Sequence, residues 1–207
     1  MASKPKPREK AGAEALDGDK KKEYAGLTFN GLLLKGKAVT SGLFSDCVFR
    51  NCELTGVSFR FCKFSDCSFE SCNLSLLKAP AALFSGVSFK TSKLVGVNWT
   101  EASWPKIKLA VPVSFAGCML NYSNFPGLSL AGTAMTGCTA KAADFREADL
   151  TGTDLSGSLF SNTDLSGADL TGARNYTIRI SGNKVKGARF SMPEAIDLLY
   201  CLDIKIV

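Results

Sequence analysis

The chain of 207 residues predicts an all-β solenoid of four-sided coils. Two ladders in the sequence lead there, one large and one small. Between Lys141 and Ala173 the units Ala-Asp-Phe-Arg-Glu, Ala-Asp-Leu-Thr-Gly, Thr-Asp-Leu-Ser-Gly and Ala-Asp-Leu-Thr-Gly recur every five residues. Neither a helix, with a period of 3.6, nor a flat strand, with a period of 2.0, returns to the same face every five positions. A repeat this short forms one side of a coil, and stacked coils bury a continuous core.

Ahead of the repeat, residues 1–23 hold seven Lys or Arg against five acids, with Leu16 as the only sizeable apolar side chain. Such a stretch buries too little surface to offset its ordering entropy, so it predicts a disordered basic tail. Such a basic tail can touch nucleic acid non-specifically, but a solubilising role is the simpler expectation.

Residues 24–190 form the repeat region. From Phe29 a large apolar position recurs through Phe44, Phe49, Phe64 and Phe89 to Trp99, Trp104 and Leu109, then steps by six to Phe115. It resumes through Leu130, Phe145, Leu155 and Leu170 to Asn175, Ile180, Val185 and Phe190. Thirteen of the fourteen phenylalanines stand in this frame. The one extra residue within Ala110 to Ser114 predicts a bulge. Two places before each central position lies the second ladder, small or β-branched: Cys47, Cys52, Val57, Cys62, Cys67, Cys72, Cys118, Cys138 and Ala148 among others. One large and one small inward residue per five fill a narrow tube to normal interior density. Four units close a coil of 20 residues, giving about eight coils and, at roughly 4.8 Å per coil, a rod of about 40 Å. Each buried Phe or Leu contributes about 1.5–3 kcal/mol.

Residues 191–207 predict a cap. Ser191 with Glu194 three residues on, and Pro193 early in the turn, predict a helix start. Leu202, Ile204 and Ile206 alternate with Asp203 and Lys205, which predicts a strand. So much apolar surface at a solenoid end, including Ile196, Leu199 and Tyr200, favours self-association across a two-fold axis over a cap folded back on its own last coil.

Composition narrows the chemistry. Histidine is absent, which excludes Ser-His and Cys-His nucleophile pairs and every His-containing metal site. No cofactor is expected. Seven of the eight cysteines sit on the small ladder and none forms a C-x-x-C pair, so free thiols acting as small hydrophobes are expected rather than zinc or disulfides. The first residues carry no apolar leader and no run approaches the ~18 apolar residues of a membrane span, so a soluble cytosolic protein is expected.

The repeats Ala143 to Glu147 and Ala168 to Gly172 resemble those of the pentapeptide-repeat family, whose units follow the pattern A(D/N)LXX. The likeness spans roughly residues 27–190. That resemblance implies a right-handed quadrilateral β-helix. Gly96 to Pro105, Leu130 to Gly132 and Ala188 to Ala195 look most similar to the albicidin-resistance members of the family, relatives of the Qnr and mycobacterial fluoroquinolone-resistance proteins. These imply a non-catalytic homodimer, joined at its C-terminal helix, that binds DNA gyrase by imitating duplex DNA. Gyrase, a type II topoisomerase, is thereby protected from a poison of the albicidin or fluoroquinolone kind.

Residues 24–207 carry 18 positive and 14 negative side chains, so imitation of DNA is expected to be local. Asp144, Glu147, Asp149, Asp154, Asp164 and Asp169 stand against Arg146 alone, and a 20-residue coil stacks Asp144 on Asp164 and Asp149 on Asp169. A row of carboxylates at strand spacing could imitate phosphates; the same aspartates could equally cap turns. The basic run Arg174, Arg179, Lys184, Lys186 and Arg189 could pair with acids across a dimer, touch gyrase or DNA, or form a solvated face. An interaction rod with no topoisomerase partner is the alternative.

Overall fold

The computed structural model describes residues 8–10, 16, 22–104, 113–199 and 202. The chain is a parallel β-solenoid of about eight coils, matching the expected architecture. Four large central positions per coil define four sides. The first is a seven-stranded sheet running from Arg8–Lys10 through Leu27–Asn30, Val48–Arg50, Ser68–Glu70, Val87–Lys90 and Val113–Ala116 to Met135–Thr136. The fourth holds the strands Glu23–Ala25, Leu43–Ser45, Lys63–Ser65 and Leu83–Ser85. Tyr24 pairs with Phe44 and Phe44 with Phe64, so the offset is 20 residues as expected.

Aromatic ladders hold the first coils. On the fourth side Phe64 stacks on Phe44 at 4.7 Å and on Phe84 at 5.3 Å, and on the first side Phe49 stacks on Phe69 at 4.5 Å. Between ladders the rings meet edge to face, as Phe59 and Phe64 do at 5.1 Å.

The small ladder does more than fill space. Cys62 Sγ donates to Val39 O at 3.3 Å, Cys72 Sγ to Phe49 O at 3.3 Å and Ser92 Oγ to Phe69 O at 3.3 Å. Each bond reaches the carbonyl of a central residue 23 positions back. The same atom often accepts as well: Cys52 N–H donates to Cys72 Sγ, Cys72 N–H to Ser92 Oγ and Cys138 N–H to Ser158 Oγ. Cys, Ser and Thr therefore share this position because each is a small donor and acceptor that satisfies backbone groups at a corner. Burial pushes the Cys62 thiol up to about 11, which keeps the proton it donates.

The interruption near Leu109 is larger than the single residue expected. Leu83 bridges Ser103 at an offset of 20, but Val87 pairs with Val113 and Asn98 bridges Asn124 at offsets of 26. Six residues are thus added between Ser103 and Val113, and Phe115 stacks on Phe89 at 5.4 Å. Six is one full unit plus one, so a count by fives shows only the remainder. The expected bulge at Ala110 to Ser114 falls mostly outside the described residues.

The frame also fails at Asn175 and Ile180. Leu159 bridges Thr177 at an offset of 18, so Tyr176 and Ile178 are buried in their place. Asn175 is exposed, in the left-handed region with φ 58°. A 3-10 turn, Ile180–Gly182, makes up the two residues, and Asp164 bridges Lys184 at 20 again.

Both ends differ from expectation. Arg8–Lys10, within the stretch expected to be disordered, forms a strand on Leu27–Asn30, and Leu16 is buried in the core. The reason is the open end of the solenoid, whose first strand otherwise leaves a row of unpaired backbone groups. At the other end Glu194–Leu198 is a 3-10 helix started by Pro193, without a side-chain cap. The expected Ser191 cap does not form because Ser191 Oγ accepts the Gly172 N–H at 2.8 Å, joining the helix start to the last coils. The expected strand at Leu202 to Ile206 lies, apart from Leu202, outside the described residues, as do Tyr200, Ile204 and Ile206. No helix among the described residues is long and apolar enough to cross a membrane.

Candidate protein-interaction surface

Each aspartate one place before an inward residue is first a turn residue. The Oδ1 atoms of Asp144, Asp149, Asp154, Asp164 and Asp169 accept the N–H two residues on, at 3.0–3.1 Å, from Arg146, Thr151, Ser156, Ser166 and Thr171. This holds the carboxylates in fixed orientation.

Their distribution is wider than a band facing one partner. Asp144 and Asp164 stack on the third side, Asp149 and Asp169 on the fourth, and Asp154 stands on the first. Glu147 is exposed at the corner between the third and fourth sides, with φ 57°. The expected stacks of Asp144 on Asp164 and Asp149 on Asp169 are present, while a flat array of six is not.

Each column ends on a base. Asp164 bridges Lys184, Asp169 pairs with Arg189 and Asp154 bridges Arg174. Lys184 Nζ lies 3.5 Å from Asp164 and an Arg189 guanidinium nitrogen 3.4 Å from Asp169, while Arg146 clasps Asp144 at 2.6 Å. Three of the five bases in the run from Arg174 to Arg189 thus answer acids one coil away in their own chain.

These contacts lower the carboxyl pKa values. Asp144 is held below its ordinary value chiefly by the Arg146 hydrogen bonds, Asp154 by the Ser156 hydroxyl and Asn175, and Asp169 by the Thr171 hydroxyl and N–H. At Asp164 burial pushes upward and is outweighed by Ser166 and Lys184. A carboxyl depressed in the folded state stabilises the fold above its unfolded pKa of about 3.9, and that contribution fades as pH falls through the folded value. The thermal midpoint is therefore expected to be level near neutrality and to fall below about pH 4. Changing Asp144, Asp154, Asp164 and Asp169 to Asn should flatten that fall; an unaltered profile would contradict the assignment.

Two acids escaped the sequence reading. Asp46 and Asp66 stand one coil apart at the corner leaving the fourth side, with φ 51° and 52°. Asp66 Oδ1 would lie 2.5 Å from a Cβ at Gly86, so the glycine makes room for it. Their spacing of 20 was visible, but only the coil places them with Glu23, Asp149 and Asp169. That side and corner carry Lys22, Lys63 and Arg189 as the opposing bases among the described residues. No group of three or more His, Cys, Asp or Glu able to hold a metal occurs among the described residues.

Comparison with known proteins accords with this geometry. The model of the Pentapeptide repeat region matches residues 43–111, and that of Pentapeptide repeats (8 copies) matches residues 141–174. No curated protein matches the sequence. Among solved structures, a trypsin-treated variant of QnrB1, a plasmid-mediated fluoroquinolone resistance protein, is 21% identical with a TM-score of 0.54, covering 89% of this chain and 97% of that one. HetL, involved in heterocyst differentiation regulation in the cyanobacterium Nostoc, is 17% identical with a TM-score of 0.52, covering 81% of this chain and 84% of that one. Two family models thus match separate stretches, residues 43–111 and 141–174, of one continuous stack of five-residue units, and the chain is a pentapeptide-repeat protein.

Proposed function

We propose that this rod is a non-catalytic cytoplasmic protein that binds DNA gyrase and protects it from a poison of the albicidin or fluoroquinolone kind. The observation that carries the reading is the set of carboxylates on the third and fourth sides, each fixed by its own turn and repeated at about the 4.8 Å coil spacing. QnrB1, a plasmid-mediated fluoroquinolone resistance protein, supports it through a shared architecture. The cations beside the acids do not forbid it. Arg146, Lys184 and Arg189 are mostly solvent-exposed, and surface ion pairs of this kind contribute only about 0–1 kcal/mol. A basic DNA-binding surface exchanges its own Arg and Lys for them. A homodimer through Ile196, Leu199, Tyr200, Leu202, Ile204 and Ile206 belongs to the same proposal; Leu199 and Leu202 are exposed.

The test is gyrase supercoiling with and without poison, run with the native protein and with Asp144, Asp149, Asp164 and Asp169 changed to Asn. Asparagine keeps the turn-capping oxygen and removes the charge. Protection by the native chain that weakens with added salt and is lost in the Asn variant supports the reading. Neither protection nor inhibition at micromolar protein would sink it. The second reading, an interaction rod with no topoisomerase partner, is favoured by the pairing of the acid columns within the chain. It predicts equal behaviour of both proteins.

A further inference from the structure

The side opposite the acidic one carries the reverse character. Among the described residues, the exposed large apolar side chains of the solenoid are Leu33, Phe61, Leu76, Met119, Tyr122 and Leu159, and all but Phe61 stand on the second side or its trailing corner. Leu76 stands two coils before Met119 and Tyr122, with the coil of Lys93 and Gly96 between them. Met119 bridges Lys93, the Leu76 N–H donates to Val95 O and the Gly96 N–H to Asn121 O, one coil further along. A Cβ at Gly96 would lie 2.9 Å from Leu76 Cδ2, so Leu76 lies along the corner over this glycine, towards the coil of Tyr122.

The fold does not require these side chains. Leu76 and Tyr122 sit at φ 56° and 60°, a left-handed corner that Gly36, Gly56 and Gly96 occupy in other coils. Bulky side chains in that region are strained, and exposed ones gain no burial in return. Large apolar side chains left exposed at such a corner point to contact with something else.

The surroundings state what that is. Lys93 lies one coil before Met119, and the Tyr122 N–H donates to Lys141 O one coil after. Both lysines are exposed, and neither forms an ion pair among the described residues. Lys35 and Arg179 extend the same charge along the side, whose carboxylate, Glu53, is engaged by Thr55 and Asn73. An apolar centre of Leu, Met and Tyr inside a charged rim is the anatomy of a protein interface. A nucleic acid backbone would use the cations and leave Leu76 and Met119 without a role. Before the C-terminal cap, the acidic side of a second copy shows no exposed large apolar residue among those described.

We infer that Leu76, Met119 and Tyr122, rimmed by Lys93 and Lys141, form a docking site for an acidic amphipathic segment of another protein. This inference is independent of the gyrase reading, since it concerns the opposite side.

The test uses the full chain and two labelled synthetic helical peptides, one with a leucine face and glutamates elsewhere, the other with lysines in place of the glutamates. The glutamate peptide is expected to bind by fluorescence anisotropy and the lysine peptide not. The Lys93→Glu, Lys141→Glu double variant should invert that preference. Leu76→Gly with Tyr122→Gly should weaken binding about tenfold or more while the thermal midpoint stays level or rises, because glycine relieves both left-handed corners. Binding unchanged in these variants overturns the inference. So does displacement of the peptide by a DNA duplex, or sedimentation showing that the patch is filled by a second copy, for example by the end bearing Glu194, Asp197 and Leu199.

Discussion

Phe64→Ala is expected to cost about 3–5 kcal/mol, enough to unfold the N-terminal coils at room temperature. Phe64 is fully buried and touches five other rings: Phe44 and Phe84 by stacking, and Phe49, Phe59 and Phe69 edge to face. A solenoid cannot spread that loss over a broad core, because each coil contacts only its neighbours. The cavity would sit inside a tube whose walls are tied by strand pairing above and below, with little room to collapse. Urea denaturation followed by circular dichroism is the measurement. It should show a lower midpoint and a broader transition as the first coils uncouple from the rest. A loss below about 1 kcal/mol would mean that the rings are loosely packed.

Ser123→Ala is expected to cost about 2–4 kcal/mol although it removes a single oxygen. Ser123 Oγ donates to Leu94 O at 2.6 Å and accepts the Val97 N–H at 3.1 Å, with no exposure to water. Alanine leaves a buried carbonyl and a buried N–H without partners, and each unsatisfied group costs about 1–3 kcal/mol. Ser123→Cys should recover most of the loss, since Cys72 and Cys138 hold equivalent places elsewhere in the stack. Equal damage from Ala and Cys would show that size alone governs the position. The pair of variants thus separates hydrogen bonding from volume as the reason for the cysteine ladder.

Much of the architecture was legible because the repeat is local. Phe29, Phe44, Phe49 and Phe64 recur at multiples of five, and a large and a small inward residue per unit are enough to imply a filled tube. The stacking of Asp144 on Asp164 and of Asp149 on Asp169 followed from the coil length alone. The hydrogen bonds of the small ladder were not legible. Cys, Ser, Thr and Ala look alike as small residues, and only the approach of Phe49 O to Cys72 Sγ distinguishes a donor from a filler. The Ser191 cap failed for a related reason: a hydroxyl that matches a local pattern was taken by Gly172, 19 residues away.

Periodicity settled the solenoid, its inward residues and the positions of the turns, because each depends on the nearest few residues. The side on which a residue stands depends on every residue before it. The six added residues after Ser103 leave a remainder of one, and counting by fives would stack Phe115 on Leu94 and turn the whole C-terminal half by one side. The pairing of Phe89 with Phe115 removes that turn. It places Asp149 and Asp169 on the side of Phe44 and Phe64, whose trailing corner carries Asp46 and Asp66, and sets Met119 and Tyr122 on the side of Leu76. Backbone pairing between coils fixes that angle, and sequence spacing is blind to it, because a looped-out segment adds residues without adding a side.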